Sequence, residues 1–150
     1  MANSVRENIL ANILTTLQGI TTINGYVNTI SSVQRWSQDG NSLANVPCII
    51  VNAGQEDCED RPGFITNCKL SVLLDVWSVK PTDTDTHLNS LLGDIKKSLM
   101  SDYTRGGYAI ATRIKNILPF ESTEGQPYCG LMVNVEVEYR HKTTDPTTAV

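Results

Sequence analysis

The stretch Cys68–Met100, CKLSVLLDVWSVKPTDTDTHLNSLLGDIKKSLM, holds a strand, a turn and a helix back to back, and its reading decides the fold. Cys68, Leu70, Val72, Leu74 and Val76 recur with period two, while Leu73 and Trp77 make the opposite face partly apolar. That is the pattern of a central strand with at least one face covered. Pro81 removes a backbone donor and stops the ladder, and Thr82, Asp83, Thr84, Asp85 and Thr86 offer side-chain oxygens that can cap a following helix. Leu88, Leu91, Leu92, Ile95 and Leu99 then form one stripe of a 3.6-residue helix, with Asp94, Lys96 and Lys97 away from it. The stripe is expected to lie on the sheet.

Working outward, Ser4 and Glu7 form a capping-box pattern ahead of Val5, Ile9, Leu10, Ile13, Leu14 and Leu17, which predicts a first helix over residues 4–18. Between Gly25 and Gly40, Val27, Thr29, Ser31, Val33 and Arg35 alternate with Asn28, Ile30, Ser32, Gln34 and Trp36, a long, weakly amphipathic strand near an edge. Gln38–Ser42 reads as a turn and Pro47–Val51 as a short apolar strand that breaks near Gly54. Residues 54–63, GQEDCEDRPG, then read as a long acidic tip projecting from an antiparallel hairpin that leads back into the central strand. Beyond the second helix come a loop at Asp102–Gly107, a strand over Ala109–Phe120 halted by Pro119, and a turn at Glu121–Pro127. The last strand has Leu131, Val133, Val135, Val137 and Tyr139 on one face, and a polar, mobile tail is expected from about residue 142.

The order of helix, three strands, helix and two strands has too few helices for parallel crossovers throughout. It predicts an α+β fold, a mainly antiparallel sheet of about five strands with two helices packed on one face and Leu14 and Leu92 buried between them. One domain spanning residues 1–150 is the expectation, with no repeat or linker.

Hydrophobic residues make up 40% and charged residues 19%, near the globular average, and no apolar run approaches the roughly 20 residues that span a bilayer. No membrane association is expected. The net charge of −4, with no basic cluster longer than Lys96–Lys97, argues against a sequence-reading nucleic-acid binder. The opening MANSVREN has no basic region followed by an apolar block, so synthesis in a reducing cytoplasm is expected and disulfides are not assumed. Cys48, Cys58, Cys68 and Cys129 contain no C-x-x-C pair and have only His87 and His141 to join them, a poor basis for zinc.

Nothing in the sequence assembles a catalytic constellation. Gly106-Gly107 lacks the Lys-Ser/Thr of a phosphate loop, there is no G-x-S-x-G elbow, and Asp83 and Asp85 beside His87 have helix capping as their obvious work. His141, beside Arg140 and Lys142 past a strand end, reads as solvated. Glu56, Asp57, Glu59 and Asp60, with Arg61, lack the spacing of a calcium loop. No catalytic residue, metal or cofactor is therefore assigned. Trp77 reads as core, whereas Trp36 beside Arg35 is a candidate anchor for a partner.

The element order and three local patterns resemble the tail terminator or tail completion proteins of long-tailed bacteriophages. These are the N-terminal helix Ser4–Gln18 leading to Val46-Pro47-Cys48-Ile49-Ile50, the strand–helix unit Val72–Trp77 with His87–Leu99, and the closing strand Val133–His141 followed by Asp145-Pro146. The resemblance implies a virion protein, made in the host cytoplasm, that forms a homohexameric ring at the head-proximal end of the tail. Such a ring caps the tail tube protein, stops its polymerisation and presents a joining surface to a head-completion or connector protein, while DNA passes through the lumen without sequence-specific binding. In that setting Glu56, Asp57, Glu59, Asp60 and Arg61 are candidates for lumen or tube contact, and Trp36, Arg35, Arg140 and His141 for the subunit interface. Another head–tail connector or a tube subunit is the nearest alternative, and a small ligand-binding module or enzyme a more distant one.

Overall fold

The computed structural model describes residues 2–36, 46–79, 81–121 and 128–150; the turns read at Gln38–Ser42 and over residues 122–127 lie outside them. Ser4 caps the first helix, α1 (Val5–Gln18), its hydroxyl accepting the Glu7 N–H at 3.1 Å. The second helix, α2 (Thr84–Met100), starts without the side-chain cap that the Thr/Asp run suggested: Asp83 makes no cap bond, and the Thr84 hydroxyl turns back to the Pro81 carbonyl at 3.0 Å. At its other end the fully buried Arg105 donates to the carbonyls of Leu99 and Asp102, taking up groups that a helix terminus leaves free.

Six strands lie among the described residues: β1 (Ser32–Arg35), β2 (Cys48–Arg61), β3 (Ile65–Val79), β4 (Ala111–Glu121), β5 (Tyr128–Lys142) and β6 (Asp145–Ala149). They form one sheet in the order β1-β2-β3-β5-β4, with β6 also on β5; all neighbours are antiparallel except β1 and β2. The architecture is α+β, as the periodicities predict. Thr66, Cys68, Leu70, Val72, Leu74, Val76 and Ser78 of β3 are buried in alternation, and the apolar ones share a core with Ile9, Ile13 and Leu17 of α1 and Leu91, Ile95 and Leu99 of α2. Both helices therefore cover the same sheet face. Leu14 and Leu92, expected inside, are only partly buried and pack against the margin of this core.

Four boundaries differ from the sequence reading, each for a physical reason. Among the described residues, the long strand from Val27 is confined to β1, because the backbone N–H groups of Val27 and Asn28 donate to the buried carboxylate of Asp94 on α2 at 3.1 and 2.8 Å; the strand's expected part over residues 37–40 lies outside the described residues. Those donors are unavailable to a sheet neighbour. In contrast, β2 does not break at Gly54: the ladder shifts register between Ala53 and Glu56 and runs on to Arg61. A Cβ on Gly54 would stand 3.0 Å from the Ser71 carbonyl, so a glycine suits this close approach. Pro119 does not halt β4, an edge strand on which proline is tolerated. Finally, the segment expected to be a mobile tail turns at Thr143 and Thr144 and pairs as β6, with His141 opposite Ala149.

Candidate functional site

Because the helices occupy one sheet face, residues of the opposite register face outward. Near the α2 end this uncovered face is apolar. Leu118 stands opposite Met132, Trp77 and Phe120 both oppose Gly130, and Leu73 and Val79 extend the strip along β3. Leu118 is 61% exposed, Val79 51% and Met132 41%. Trp77, expected in the core, is half-buried here and meets Phe120 edge-to-face with ring centroids 4.5 Å apart. Asp75 lies within this region and accepts from the Asn52 amide at 3.2 Å; burial raises its carboxyl above the usual range.

Towards the other end the same face is charged and cross-linked. Arg113 is 3.7 Å from Glu136 and 3.6 Å from Glu138, while Asn67 donates to Glu138 at 3.5 Å and accepts from Arg140 Nε at 3.0 Å. Lys69 lies opposite both Asp57 and Glu138. One face thus carries an apolar half and a salt-bridged half.

The acidic segment is not a projecting loop but the distal part of β2, so its acids divide between the two faces. Glu56 and Asp60 share the helix side with their partners Leu70 and Thr66, whereas Asp57, Glu59 and Arg61 point to the uncovered side. Half-buried Glu56 accepts from the Tyr139 hydroxyl and pairs with Arg6 at 3.5 Å; Asp60 accepts from Thr66 at 3.1 Å; Arg61 lies 3.6 Å from Glu59. Burial, then the Glu56 carboxylate, pushes the Tyr139 hydroxyl upward. Glu56, Cys58 and Cys68 place one ligand atom each within 4.8 Å of one another, the described cluster best able to hold a metal ion. Its chemistry is poorly suited to metal binding, since Tyr139 and Arg6 engage Glu56 Oε1, the Cys58 thiol faces Oε2 at 3.6 Å, and burial pushes the Cys68 thiol up to about 12, away from the thiolate a metal needs.

The four candidate interface residues do not form one patch. Arg35 makes a two-pronged ion pair with Glu7 of α1 at 2.6 and 3.0 Å, which raises its own pKa and lowers that of Glu7. Trp36, 60% exposed at φ 52, stands just past β1 with its backbone N–H on Val51. Arg140 and His141 belong to β5 at the level of Asn67 and Thr66, far along β3 from Leu74, the level of Arg35. His141 lies inside β5 and not beyond it, half-buried, with Nδ1 2.7 Å from the Lys142 carbonyl. His87 Nε2 is 2.7 Å from the Ser78 hydroxyl, but Ser78 is buried on the helix-covered face, where the pair ties the first turn of α2 to β3.

Sequence reading missed two features. The apolar strip needs the β4–β5 register to bring Leu118 beside Met132, and no single-strand pattern gives that register. The Cys58–Cys68 pairing had a usable signal: both cysteines stand five residues from Gly63, so a hairpin turning there sets them opposite each other.

No protein-family model matches the sequence, and no curated protein matches it. Among solved structures, a chain of one described as "Virion of native gene transfer agent (GTA) particle" is similar at 10% identity and a TM-score of 0.48, over 89% of this chain and 96% of that chain.

Proposed function

We propose that this chain is a structural virion protein of the tail-terminator type. Six copies form a ring on the last ring of the tail tube, stop its polymerisation, and present the surface to which a head-completion or connector protein binds. The observation that carries this reading is the uncovered sheet face, whose apolar half exposes Leu118 beside Met132 and continues through Phe120 and Trp77 towards the exposed Val79. Contiguous exposed apolar surface rimmed by polar groups favours burial against another protein. A ring subunit supplies that burial by contact with its neighbours.

The role proposed is not enzymatic. Of the grooves among the described residues, those of about 360 Å³ beside Thr84, Asp85, Leu88 and Phe120 and of about 470 Å³ between α2 and β4 contain neither histidine nor cysteine; the Cys58 thiol lines a third, of about 280 Å³, with Asp57, Glu59 and Lys69. The exposed acids Asp57 and Glu59 suit a lumen through which DNA passes, since carboxylates repel phosphate over about one Debye length, ~8 Å at physiological salt. The test is to add the purified chain to polymerising tail tube protein. Tubes that stop growing and carry one added ring at one end support the proposal; tubes that lengthen unchanged, or incorporate the chain throughout, oppose it.

A further inference from the structure

The β2–β3 hairpin turns through Gly63 and Phe64, both at positive φ, 89° and 59°. This geometry sets Cys58 directly opposite Cys68. Their sulfur atoms are 3.3 Å apart, with Cys58 exposed and Cys68 fully buried. Directly opposed residues of an antiparallel pair have Cα atoms about 4.5–5.5 Å apart, inside the roughly 4.4–6.8 Å that disulfides span. Closing the sulfurs to about 2.05 Å therefore asks for side-chain rotation and no strand movement. The other two cysteines lack this arrangement: Cys48 opposes Trp77 and Cys129 opposes Ser78, both buried.

We propose that Cys58 and Cys68 form a thiol–disulfide exchange site that takes a low-molecular-weight disulfide as its oxidant and closes the hairpin with a cross-strand disulfide. Exposure sets the order of events. The Cys58 thiolate attacks one sulfur of the small disulfide, which releases one thiolate that takes up a proton and leaves Cys58 in a mixed disulfide. Cys68 then attacks the Cys58 sulfur and the second small thiol leaves, taking the Cys68 proton with it. Two protein thiols become one disulfide and one small disulfide becomes two thiols. Burial holds the Cys68 thiol at about 12, which keeps Cys68 from reacting first and makes the second step the slow one. The link would pin the acidic end of β2 to β3, and a chain made in a reducing compartment would acquire it only on leaving. The exchange chemistry does not depend on the proposed virion role.

The test incubates the reduced full-length chain with oxidised glutathione, blocks remaining thiols by alkylation under denaturing conditions, and measures mass and peptide map. The expected product retains two alkylatable thiols, Cys48 and Cys129, is lighter than the reduced chain by two hydrogens before alkylation, and yields a peptide joining Cys58 to Cys68. Cys68→Ala should stop at a glutathione adduct on Cys58, and Cys58→Ser should take up none. A wild-type chain that keeps a stable glutathione adduct, or loses no thiols, overturns the proposal. So does stoichiometric zinc on the purified chain that is lost in Cys58→Ser, since it assigns the cluster to metal. The wild-type measurement stands even if a variant fails to fold.

Discussion

The ring of Phe120 lies across Gly130, its partner in the β4–β5 register, so closely that a Cβ on the glycine would fall 2.5 Å from Phe120 Cζ and closer still to the Val76 carbonyl oxygen. Gly130 has no left-handed backbone to explain it; the aromatic cover and the backbone beneath it do. Gly130→Ala should cost about 1–3 kcal/mol by overpacking, read by urea unfolding. A variant as stable as the parent would mean that Phe120 does not sit on the glycine. Phe120→Ala should also expose Trp77 and red-shift its fluorescence.

The two helices can be tested by comparing neighbouring leucines. Leu17 and Leu91 are fully buried, whereas Leu14 and Leu92 sit at the margin. Truncation to Ala should cost about 2–5 kcal/mol at Leu17 or Leu91 and distinctly less at Leu14 or Leu92. Equal losses at Leu91 and Leu92 would contradict the rotation of α2 about its axis that buries Leu91.

Asp94 accepts from the backbone N–H groups of Val27 and Asn28 and from the Asn28 side-chain amide at 3.0 Å. Asp94→Ala removes a charged acceptor shared by three donors, a loss of about 1–3 kcal/mol that is moderated because Val27 is exposed and its N–H can turn to water. Amide hydrogen exchange should accelerate at Val27 and Asn28 first. Unchanged protection there would show that the segment is held by something else.

Asp145 accepts from the Thr147 and Thr148 hydroxyls at 2.6 and 2.7 Å and from the Thr147 N–H, and these bonds lower its pKa to about 2. The unfolded value is about 3.9, so the folded pKa is depressed. Its contribution is complete above pH ~4 and is lost as the pH falls towards ~2. Amides of β6 should lose protection over that window in the parent, and Asp145→Asn should remove the pH dependence. A titration midpoint near 4 for Asp145 would contradict the arrangement.

Much of this fold was legible because period-two and 3.6-residue patterns report burial directly. Leu70 to Val76 and Leu88 to Leu99 each describe one element facing one core, and no other information is needed. The failures have a common physical origin. Val27–Ile30 alternates like a strand, yet a carboxylate 66 residues away takes the N–H of Asn28. The polar run after Gly54 reads as a loop, yet pairing with β3 extends it, because hydrogen bonds to a neighbouring strand do not require apolar side chains. The tail from residue 143 is placed by the free edge of β5 beyond Ala111, a feature its own residues do not encode. Of the candidate site, Trp36 was legible only as a candidate anchor, because a tryptophan under a helix has the same local pattern; the uncovered apolar strip required the sheet order.

The acids at the distal end of β2 distinguish a luminal from an outer position. Glu56 is left in place because Tyr139 and Arg6 hold it; Asp57, Glu59 and Asp60 are changed to Lys together. A luminal position predicts normal ring formation with salt-sensitive DNA retention or slowed ejection. Normal particles at all salt concentrations would place the segment outside, and failed tail capping would point to tube contact.

The decisive observation is the location of this chain in a map of an intact virion. A tail terminator predicts a single ring of six copies between head and tail tube, with the Leu118–Met132 face buried against a neighbouring copy. Many stacked rings along the tail, or no copies in the particle, would contradict it.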